Sequence, residues 1–590
     1  MTVIHNVALA SFNYDYTVQL LLSQHFGYNG KCPTGQWAGL LANGSGWGDK
    51  SGWLQATLST GTYEFYAVFC PTGKEYVPTK NNGCPKTTAG TNPCNAANGN
   101  KYQRETDYIG AGGYPLKFER VYNSTEPISS SVGSHWNSNY DQTVQSITTG
   151  IYTSAKVIRS DGNQYSFDFA NTNSAQSDAD VVGQLIKSGI DASGYPTGWT
   201  YINEQDETET YNAAGKLISI TNRAGQSQTL TYSDGTAGAN GGYVLDTTGT
   251  PTTTVLPAGR LIRVADSAGR VLQFGYDTAG RITRVTDPGG GVYAYTYSGP
   301  LATDNLNSVT YPDGSTRTYL YGETANVSAT PNAGVSYAHA LTGIIDENSS
   351  RYAGWTYDAA GRATSSERGA PGGGIGKVSL AYGPTDANGN RTTSVTDANG
   401  VTRDYSFATS LGVVRNTGVT GQPCNGCNAT LTYDANGNIS SRTDFNGNKI
   451  CYSYDLTRNL ETTRLEGMSP GTSCPTDLTA YAPSTTAGSA ERKITTQWHA
   501  SLRLPLAIAE PLRITNYTYD AKGSLLGRAI QPTTDATGGA GVTAAANGTA
   551  RTTTYTYNTA GQVLTIDGPR TDVTDVTNYG YDAQGNLVSV

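Results

Sequence analysis

The stretch YDANGNISSRTDFNGNKICYSYD, residues 433–455, begins and ends on a Tyr-Asp pair, and the second pair follows the first after twenty-one positions. The same step of twenty-one separates Tyr211 from Tyr232 and Tyr276 from Tyr297. A fixed period of this length indicates one supersecondary unit copied many times along the chain.

Each unit carries two turn signals, which in this copy are Asp434 to Gly437 and Asp444 to Gly447. Asp at the first position and Gly at the fourth favour a type I turn. The Asp carboxylate accepts nearby backbone N–H groups, and Gly adopts the positive φ that follows. A type I turn followed by a left-handed Gly closes a hairpin through a bulge. The spacing leaves strands of about six residues between turns, so the unit predicts strand, turn, strand, turn.

Aromatic residues recur two positions apart in the strands, as in Phe274 and Tyr276 or Tyr452 and Tyr454. This spacing places both rings on one face of a strand, so stacked units predict aromatic ladders across the strands. The residues that define the repeat are Tyr211, Gly215, Tyr276, Asp277, Gly280, Tyr357, Asp358, Gly361, Tyr433, Asp434, Gly437, Tyr454, Asp455, Tyr581, Asp582 and Gly585.

The pattern Y-D-x-x-G-[NR]-[LI], followed by D-x-x-G and Y-x-Y-D, resembles the YD repeat of Rhs proteins. This family includes bacterial Rhs and wall-associated toxins and the animal teneurins. Residues 105–124, 133–141 and 157–167 resemble the segment that opens the repeat region in bacterial members, and residues 494–520 resemble a stretch that recurs in some of them.

The resemblance implies an all-β fold, in which an array of YD-repeat β-hairpins forms a spiral sheet, the wall of a hollow shell. In the bacterial family the shell encloses a C-terminal toxin domain that is delivered to a competing cell. Neither the family's cleavage motif nor a toxin domain is visible here, so we expect an open shell, incomplete at the C-terminus. The expected role is a non-catalytic encapsulating scaffold. Its expected partners are a toxin cargo outside this chain and secretion-system or immunity proteins.

Three regions are predicted along the chain. Residues 1–100 form a variable region with four cysteines and no YD period, and residues 101–201 form the Rhs-like opening segment. Residues 202–590 carry the repeats, which at this period amount to about eighteen units. Stretches rich in Gly, Ala, Ser, Thr and Pro are predicted to be loops inserted at hairpin turns, at 237–257, 324–338, 368–377, 467–490 and 533–550.

Composition limits the choice of partner. The net charge of −8 and the lack of a basic run argue against nucleic acid. No apolar stretch is long enough for a membrane span.

Residues 1–26 make a poor signal peptide, so we expect a secreted or cell-surface protein whose export route is not visible. Strands such as 281–286 place polar groups on both faces, which predicts a thin wall wet on both sides.

The cysteines of the repeat region offer the only candidate metal ligands. Cys424 and Cys427 form a C-x-x-C, and Cys451 and Cys474 follow, but the second C-x-x-C or His pair of a zinc site is missing. Structural disulfide, metal ligand and free thiol all remain open for these four. Disulfides are favoured more strongly for the N-terminal group if the protein is exported, namely Cys32, Cys70, Cys84 and Cys94.

No catalytic or cofactor site is predicted. The Asp-rich turns lack the Gly and Glu positions of a calcium loop. The acidic cluster at 204–209 is interpreted as a solvated strand edge, and His135 and Trp136 as packing residues. No histidine accompanies a nucleophile motif. The alternative function is carbohydrate binding or adhesion, in which outward-facing tyrosines stack on the sugars of cell-surface glycans.

Overall fold

The computed structural model describes residues 94–590 except 126–128, 150–151, 171–174, 193, 247 and 583–584. Before them it describes residues 80–83 and three strands between residues 37 and 69. The signal-peptide prediction for residues 1–26 falls outside the described residues, as do Cys32, Cys70 and Cys84.

Strands dominate the described residues. The first three form a sheet in the order β1-β3-β2, with the bounds β1 Trp37–Ala42, β2 Trp53–Leu58 and β3 Gly61–Phe69. The next nine precede the repeats: β4 Tyr102–Ile109, β5 Lys117–Asn123, β6 Ser129–Ser130, β7 Gly133–Ser134, β8 Trp136–Ser138, β9 Thr143–Thr149, β10 Tyr152–Ile158, β11 Gln164–Ala170 and β12 Gln176–Ser177.

The first group of repeat strands reaches residue 421. Its members are β13 Gln184–Ile190, β14 Pro196–Ile202, β15 Thr208–Asn212, β16 Leu217–Thr221, β17 Ser227–Tyr232, β18 Tyr243–Leu245, β19 Pro251–Val255, β20 Leu261–Asp266, β21 Val271–Tyr276, β22 Ile282–Thr286, β23 Val292–Tyr297, β24 Leu306–Thr310, β25 Thr316–Tyr321, β26 Leu341–Ile345, β27 Arg351–Tyr357, β28 Ala363–Arg368, β29 Ile375–Tyr382, β30 Arg391–Thr396, β31 Thr402–Ser410 and β32 Val413–Gly421.

The second group follows from residue 430. Its members are β33 Thr430–Tyr433, β34 Ile439–Thr443, β35 Lys449–Asp455, β36 Leu460–Met468, β37 Arg492–Trp498, β38 Pro505–Glu510, β39 Arg513–Tyr519, β40 Leu525–Pro532, β41 Arg551–Tyr557, β42 Val563–Asp567, β43 Val576–Asn578, β44 Gly580–Tyr581 and β45 Leu587–Ser589. Short 3-10 helices lie at Thr324–Asn326 and Gly541–Thr543.

The repeats build two large antiparallel sheets of successive hairpins, as predicted. Strands β13–β17 and β20–β32 form an 18-stranded sheet in chain order, and β33–β43 form an 11-stranded sheet in chain order. The pair β18-β19 is a separate hairpin inserted between β17 and β20. In the described part of the chain neither large sheet closes into a barrel.

The predicted turn chemistry is present in the YD turns. In the copy at Asp277, the Asp277 N–H donates to the Arg281 carbonyl at 2.9 Å and the Gly280 N–H donates to the Asp277 carbonyl at 3.0 Å. Gly280 has φ +79°. The strand register shifts by a bulge between Gly275 and Tyr276. The type I turn, the left-handed glycine and the bulge therefore recur as a unit.

One face of the 18-stranded sheet is covered. We call the face that carries the YD tyrosines the tyrosine face, and residues 94–170 the covering segment. Phe118 packs on Phe274 with ring centroids 5.6 Å apart, and Phe169 packs on Trp199 at 5.6 Å. One hydrophobic cluster joins the covering segment to this face.

The prediction of a wall wet on both sides is therefore wrong for this sheet. Within the 281–286 strand, Ile282 is 1% exposed and Val285 is fully buried. Strand β41 of the second sheet, in contrast, contains no buried residue. Strand periodicity does not show that a distant segment folds back over one face, because that contact is long-range.

The hairpin array coils back upon itself. The Arg503 N–H donates to Asp206 Oδ2 at 2.9 Å, a contact that spans 297 residues. Lys522 reaches the Ala224 carbonyl at 3.4 Å across 298 residues. Turns of the second sheet therefore rest on turns of the first after nearly 300 residues, which gives the array a spiral course.

Candidate functional site

The hydroxyl groups of the YD tyrosines tie each repeat to the one before it. Tyr276 donates to the Leu261 carbonyl at 2.8 Å, and Tyr297 donates to the Ile282 carbonyl at 2.6 Å. The acceptor belongs to the residue that ends the preceding G-[NR]-[LI] motif. Further donor and acceptor pairs are Tyr232 and Leu217, Tyr357 and Leu341, Tyr433 and Asn416, Tyr454 and Ile439, and Tyr581 and Val563.

The tyrosine of one repeat thus contacts the residue that follows the turn of the preceding repeat. The aromatic ring packs on the tyrosine face, while the hydroxyl donates to a backbone carbonyl of the preceding repeat. The two partners lie fifteen residues apart in four of these pairs and sixteen to eighteen apart in the other three, whereas the aromatic pattern by itself predicts only packing. The recurrence of Leu, Ile or Val two positions after the turn glycine is the signal that points to this acceptor.

Tyr211 departs from this rule. Its hydroxyl donates to Glu209 Oε2 at 2.5 Å, and Arg159 of the covering segment donates to both carboxylate oxygens of Glu209, at 2.5 and 2.7 Å. The Glu209 side chain is 1% exposed. The interpretation of residues 204–209 as a solvated edge is therefore wrong at Glu209, because Arg159 arrives from a distant strand and buries the carboxylate.

The turn aspartates bind their own backbone. Asp358 Oδ1 accepts the N–H groups of Ala360 and Arg362 at 3.0 and 2.9 Å, and Oδ2 accepts from the Arg362 guanidinium at 2.9 Å. The N–H of Asn390 and its side chain likewise hold the pKa of Asp386 below its usual value. These carboxylates act as turn formers, in agreement with the interpretation that rejected calcium.

The remaining predicted repeat residues show the same geometry. Asp434 and Asp582 accept backbone N–H groups four positions on, at 2.9 and 2.7 Å. The turn at Asp455 differs, because its left-handed residue is Asn459, with φ +50°, one position later than the glycine of the other turns. The left-handed glycines are Gly215 at +73°, Gly361 at +78°, Gly437 at +77° and Gly585 at +82°.

The predicted aromatic ladders are not formed between neighbouring strands of the repeats, except that Trp199 lies opposite Tyr211 near the start of the 18-stranded sheet. Phe274 lies opposite Val285, and Tyr295 lies opposite Val309. Each repeat contributes one aromatic strand and one aliphatic strand, so direct partners differ in kind. The rings meet the covering segment instead, as where Trp136 contacts Tyr319 with centroids 5.1 Å apart.

A buried ion pair joins the covering segment to the sheet. Arg120 donates to both oxygens of Asp107, at 2.6 and 2.8 Å, and to the Tyr319 hydroxyl at 2.9 Å. The Tyr295 hydroxyl donates to Asp107 at 2.8 Å. The side chains of Arg120 and Asp107 are 0% and 1% exposed. Arg120 also lies over the Trp136 ring, 5.0 Å from its centroid.

An open cleft of about 680 Å³ lies beside this ion pair, between β4 and strands β23–β25. Its charged side chains are already matched, since Arg317 pairs with Glu105 at 2.5 Å and with Glu347 at 3.0 Å. Where the structure describes side chains, no group of three or more His, Cys, Asp or Glu residues is placed to hold a metal ion. The cleft has the chemistry of an interface between covering segment and sheet.

The four cysteines of the repeat region form two disulfides, Cys424–Cys427 and Cys451–Cys474. These four cysteines are therefore structural disulfides. They are neither free thiols nor candidate metal ligands, because no thiolate is free to bind a metal. The disulfide expectation for Cys94 is wrong: it is a buried free thiol, and burial raises its pKa to about 11.

His135 and Trp136 are packing residues, as interpreted. His135 stacks on His339 with centroids 5.1 Å apart, and Trp136 is fully buried and donates to the Tyr321 hydroxyl at 2.8 Å. His135 has φ +63°, one of six non-glycine residues with positive φ in the described part.

The tyrosine face of the 11-stranded sheet carries a second groove, of about 420 Å³. Tyr454 and Trp498 form aromatic walls, and Glu461 and Arg503 supply charge. Trp498 Nε1 donates to the Glu461 carbonyl at 2.8 Å, which fixes the ring. The tyrosine is visible in the sequence but the groove is not, because its side chains come from two separate hairpins, β35–β36 and β37–β38.

Comparison with known proteins identifies two regions. Residues 257–299 match the RHS Repeat family, and residues 91–167 match a domain of unknown function, DUF6531. No curated protein matches the sequence. In the described residues, no helix has the length and apolarity needed to cross a membrane.

Several solved structures show a remote similarity. The Photorhabdus luminescens Tc holotoxin pore with a TccC3 mutation has 12% identity and a TM-score of 0.36, over 83% of this chain and 27% of that one. TcdB2-TccC3-TEV has 11% identity and a TM-score of 0.34, over 81% and 28%. TcdB2-TccC3 without its hypervariable C-terminal region has 12% identity and a TM-score of 0.34, over 83% and 27%.

The RHS match spans two units, β20–β23, and the same tyrosine bonds, aspartate turns and left-handed glycines recur through both large sheets. The chain therefore carries RHS repeats, also called YD repeats.

Proposed function

We propose that this chain is the encapsulating wall of an Rhs-type polymorphic toxin, is itself non-catalytic, and encloses a toxin cargo encoded outside residues 1–590. The observation that carries this proposal is the coiled antiparallel hairpin array, whose tyrosine face is covered by the chain's own residues 94–170 in the first sheet. A wall built from one repeating hydrogen-bonded unit can enclose cargo of variable sequence, since its stability does not depend on contacts with that cargo.

The proposed setting is competition between bacteria, with the protein secreted or at the cell surface. Secretion-system components would deliver it, and an immunity protein would protect the producer. The RHS match at residues 257–299 supports this setting, together with the resemblance of residues 105–124 to the segment that opens the repeat region in bacterial Rhs proteins.

The native locus tests the proposal. We expect a reading frame or adjoining gene that encodes a variable domain, and a neighbouring gene that protects against it. A strain without the locus should lose its advantage over a competitor that lacks the protective gene. An intact locus with no toxic domain, and no effect of its deletion on competition, would overturn the proposal.

Carbohydrate binding or adhesion is the second candidate. Tyr452 and Tyr454 lie with ring centroids 6.5 Å apart and 27° between their planes, and Tyr517 and Tyr519 at 6.4 Å and 17°. Such flat pairs offer stacking surfaces for sugar rings. Glycan-array binding that disappears when these tyrosines are replaced would favour this function over encapsulation.

A further inference from the structure

The tyrosine face is continuous between the two large sheets. Tyr433 in the second sheet donates to the Asn416 carbonyl in the first, at 2.6 Å, which repeats the bond between successive units. Residues 450, 452 and 454 continue this face by strand alternation, and Tyr454 bonds Ile439 as the earlier tyrosines bond their partners. The two sheets thus present equivalent surfaces.

Only the first of these equivalent surfaces is covered in the described residues. There Phe274, Tyr295 and Tyr319 are 7%, 3% and 1% exposed beneath the covering segment. On the second sheet Tyr452, Tyr454, Tyr517, Tyr519, Tyr555 and Tyr557 are all half-buried. An aromatic face of this extent in a folded domain is typical of an interaction surface.

A groove at Tyr454 lies on this uncovered surface. Tyr454 lies opposite Glu461, and Trp498 lies opposite Pro505, so the two aromatic walls stand on neighbouring hairpins. Ile508 and Leu460 complete an apolar floor. The groove runs across the strands, and so does the covering segment on the first sheet.

The arginines of this face determine which charge a bound partner should carry. Arg442 lies over the Tyr452 ring, 5.7 Å from its centroid. Arg464 lies opposite Tyr452 but already pairs with Glu461 at 3.6 Å and with Glu466 at 3.0 Å. Arg528 lies opposite Tyr517. On the first sheet the covering segment supplies a carboxylate to an arginine of this face, where Glu105 meets Arg317 at 2.5 Å.

We propose that the tyrosine face of the 11-stranded sheet, centred on the groove between Tyr454 and Trp498, binds an extended acidic polypeptide with aromatic side chains. This proposal rests on the proposed function, in which the cargo supplies the segment. The covering segment shows the binding mode: aromatic side chains of a crossing chain pack between the sheet's aromatic rows, and its carboxylates meet the sheet's arginines. The aromatic rows continue over several hairpins, which suits a polypeptide better than a single sugar ring.

The test uses the full chain and a fluorescein-labelled, unstructured peptide that carries three phenylalanines and three glutamates between Gly-Ser spacers. We expect saturable binding by fluorescence anisotropy, weakened at least tenfold by Trp498→Ala and by Arg442→Glu. Peptides with serine for phenylalanine, or lysine for glutamate, should bind at least tenfold more weakly.

Tyr243→Ala is the matched aromatic control, because Tyr243 is 42% exposed and lies on the inserted hairpin outside this face. Thr496→Gln is a second groove variant, which fills the groove without removing a packing side chain or adding charge and so tests the site if Trp498→Ala fails to fold. No binding by the unaltered chain, or equal binding by Thr496→Gln, would overturn the proposal. So would neutral oligosaccharides that compete with the peptide for the groove.

The two proposals fail separately. A locus without a toxic domain removes the proposed function but leaves peptide binding by this face measurable. A chain that does not bind the peptide removes this inference, while a toxic domain and a protective gene at the locus would still support encapsulation.

Discussion

Several side chains in this protein make a packing contact and also satisfy a buried polar group. The ring of a YD tyrosine packs on the sheet, while its hydroxyl satisfies a carbonyl of the preceding repeat, as between Tyr276 and Leu261. The buried pair of Arg120 and Asp107 likewise neutralises charge and locks the covering segment onto the sheet. Both arrangements leave a buried polar group without a partner when one side chain is removed, and that desolvation determines the size of the effect.

Tyr276→Phe should lower the free energy of unfolding by about 1 kcal/mol, because the Leu261 carbonyl loses its partner while the ring stays in place. Thermal or denaturant unfolding measures the change. Tyr243→Phe is the control and should change stability little, since Tyr243 is exposed. Equal effects of the two variants would show that the hydroxyl bond between repeats contributes nothing.

Asp107→Ala should cost about 3–5 kcal/mol, because it leaves the Arg120 charge buried and unpaired. Asp168→Ala, at an exposed carboxylate of the same covering segment, should be nearly neutral. The double variant Asp107→Leu with Arg120→Met should recover most of the loss, since a buried pair is often replaceable by apolar side chains. Chemical denaturation of the three variants measures these changes in the free energy of unfolding. A small loss of stability in Asp107→Ala would mean that water reaches Arg120.

At the scale of the element, the hairpin turn is both a local structure and a contact point. Most turn glycines need only their positive φ, but some also approach another part of the chain. The Gly215 carbonyl accepts the Val144 N–H at 2.9 Å, which joins a repeat turn to the covering segment. Two disulfides brace other connections, one of them within the short loop between the two large sheets.

Gly215→Ala and Gly290→Ala form a matched pair, with φ +73° and +86°. Both substitutions should lower the free energy of unfolding by about 1–2 kcal/mol, because a residue with a Cβ is strained at a positive φ. Gly215→Ala should cost clearly more, because its Cβ would lie 1.7 Å from the Val144 carbonyl oxygen, whereas no atom lies within 4 Å at Gly290. Denaturant midpoints measure the difference; equal losses would mean that β9 does not hold its place against this turn.

Replacing Cys451 and Cys474 by serine should cost about 3 kcal/mol, because their disulfide joins residues 23 apart and restricts the unfolded chain. The same change at Cys424 and Cys427, only 3 apart, should cost about 2 kcal/mol or less. Unfolding with and without a thiol reductant measures both. A larger loss at Cys424 and Cys427 would indicate that this disulfide holds the two sheets together.

At the scale of the whole molecule, burial of the tyrosine face couples stability to alkaline pH. Burial raises the pKa of Tyr276, Tyr295, Tyr319 and Tyr357 well above the usual value, and that of Tyr293 to about 12. The folded state therefore keeps these protons more tightly than the unfolded chain does. Their contribution is fully present below pH about 10, where the unfolded tyrosines are protonated.

We expect cooperative unfolding as the pH rises from about 10 towards 12, since each ionised hydroxyl also stops donating to its carbonyl. Tyrosinate absorbance and circular dichroism should report two steps. Exposed tyrosines should ionise first without loss of strand signal, and buried tyrosines should ionise together with unfolding. Gradual ionisation of all tyrosines near pH 10 with the fold intact would contradict the burial of this face.

The sequence by itself determined the repeat, because its causes are local. Asp277 and Gly280 specify a turn within five residues, and the i, i+2 aromatics of β21 specify a strand and its face. The hairpin array and its antiparallel order follow from the same short-range rules, and the family resemblance rests on the same residues.

Only the tertiary structure decided which surfaces are covered. The sequence predicts a solvated Glu209, but in the structure Arg159 binds its carboxylate. Phe274 lies opposite Val285 and not opposite an aromatic residue. Cys94 is a free thiol and not part of a disulfide. The groove at Trp498 depends on side chains from separate hairpins. These features arise from contacts between residues far apart in the chain, and a periodic sequence specifies each unit without specifying which part of the chain will lie against it.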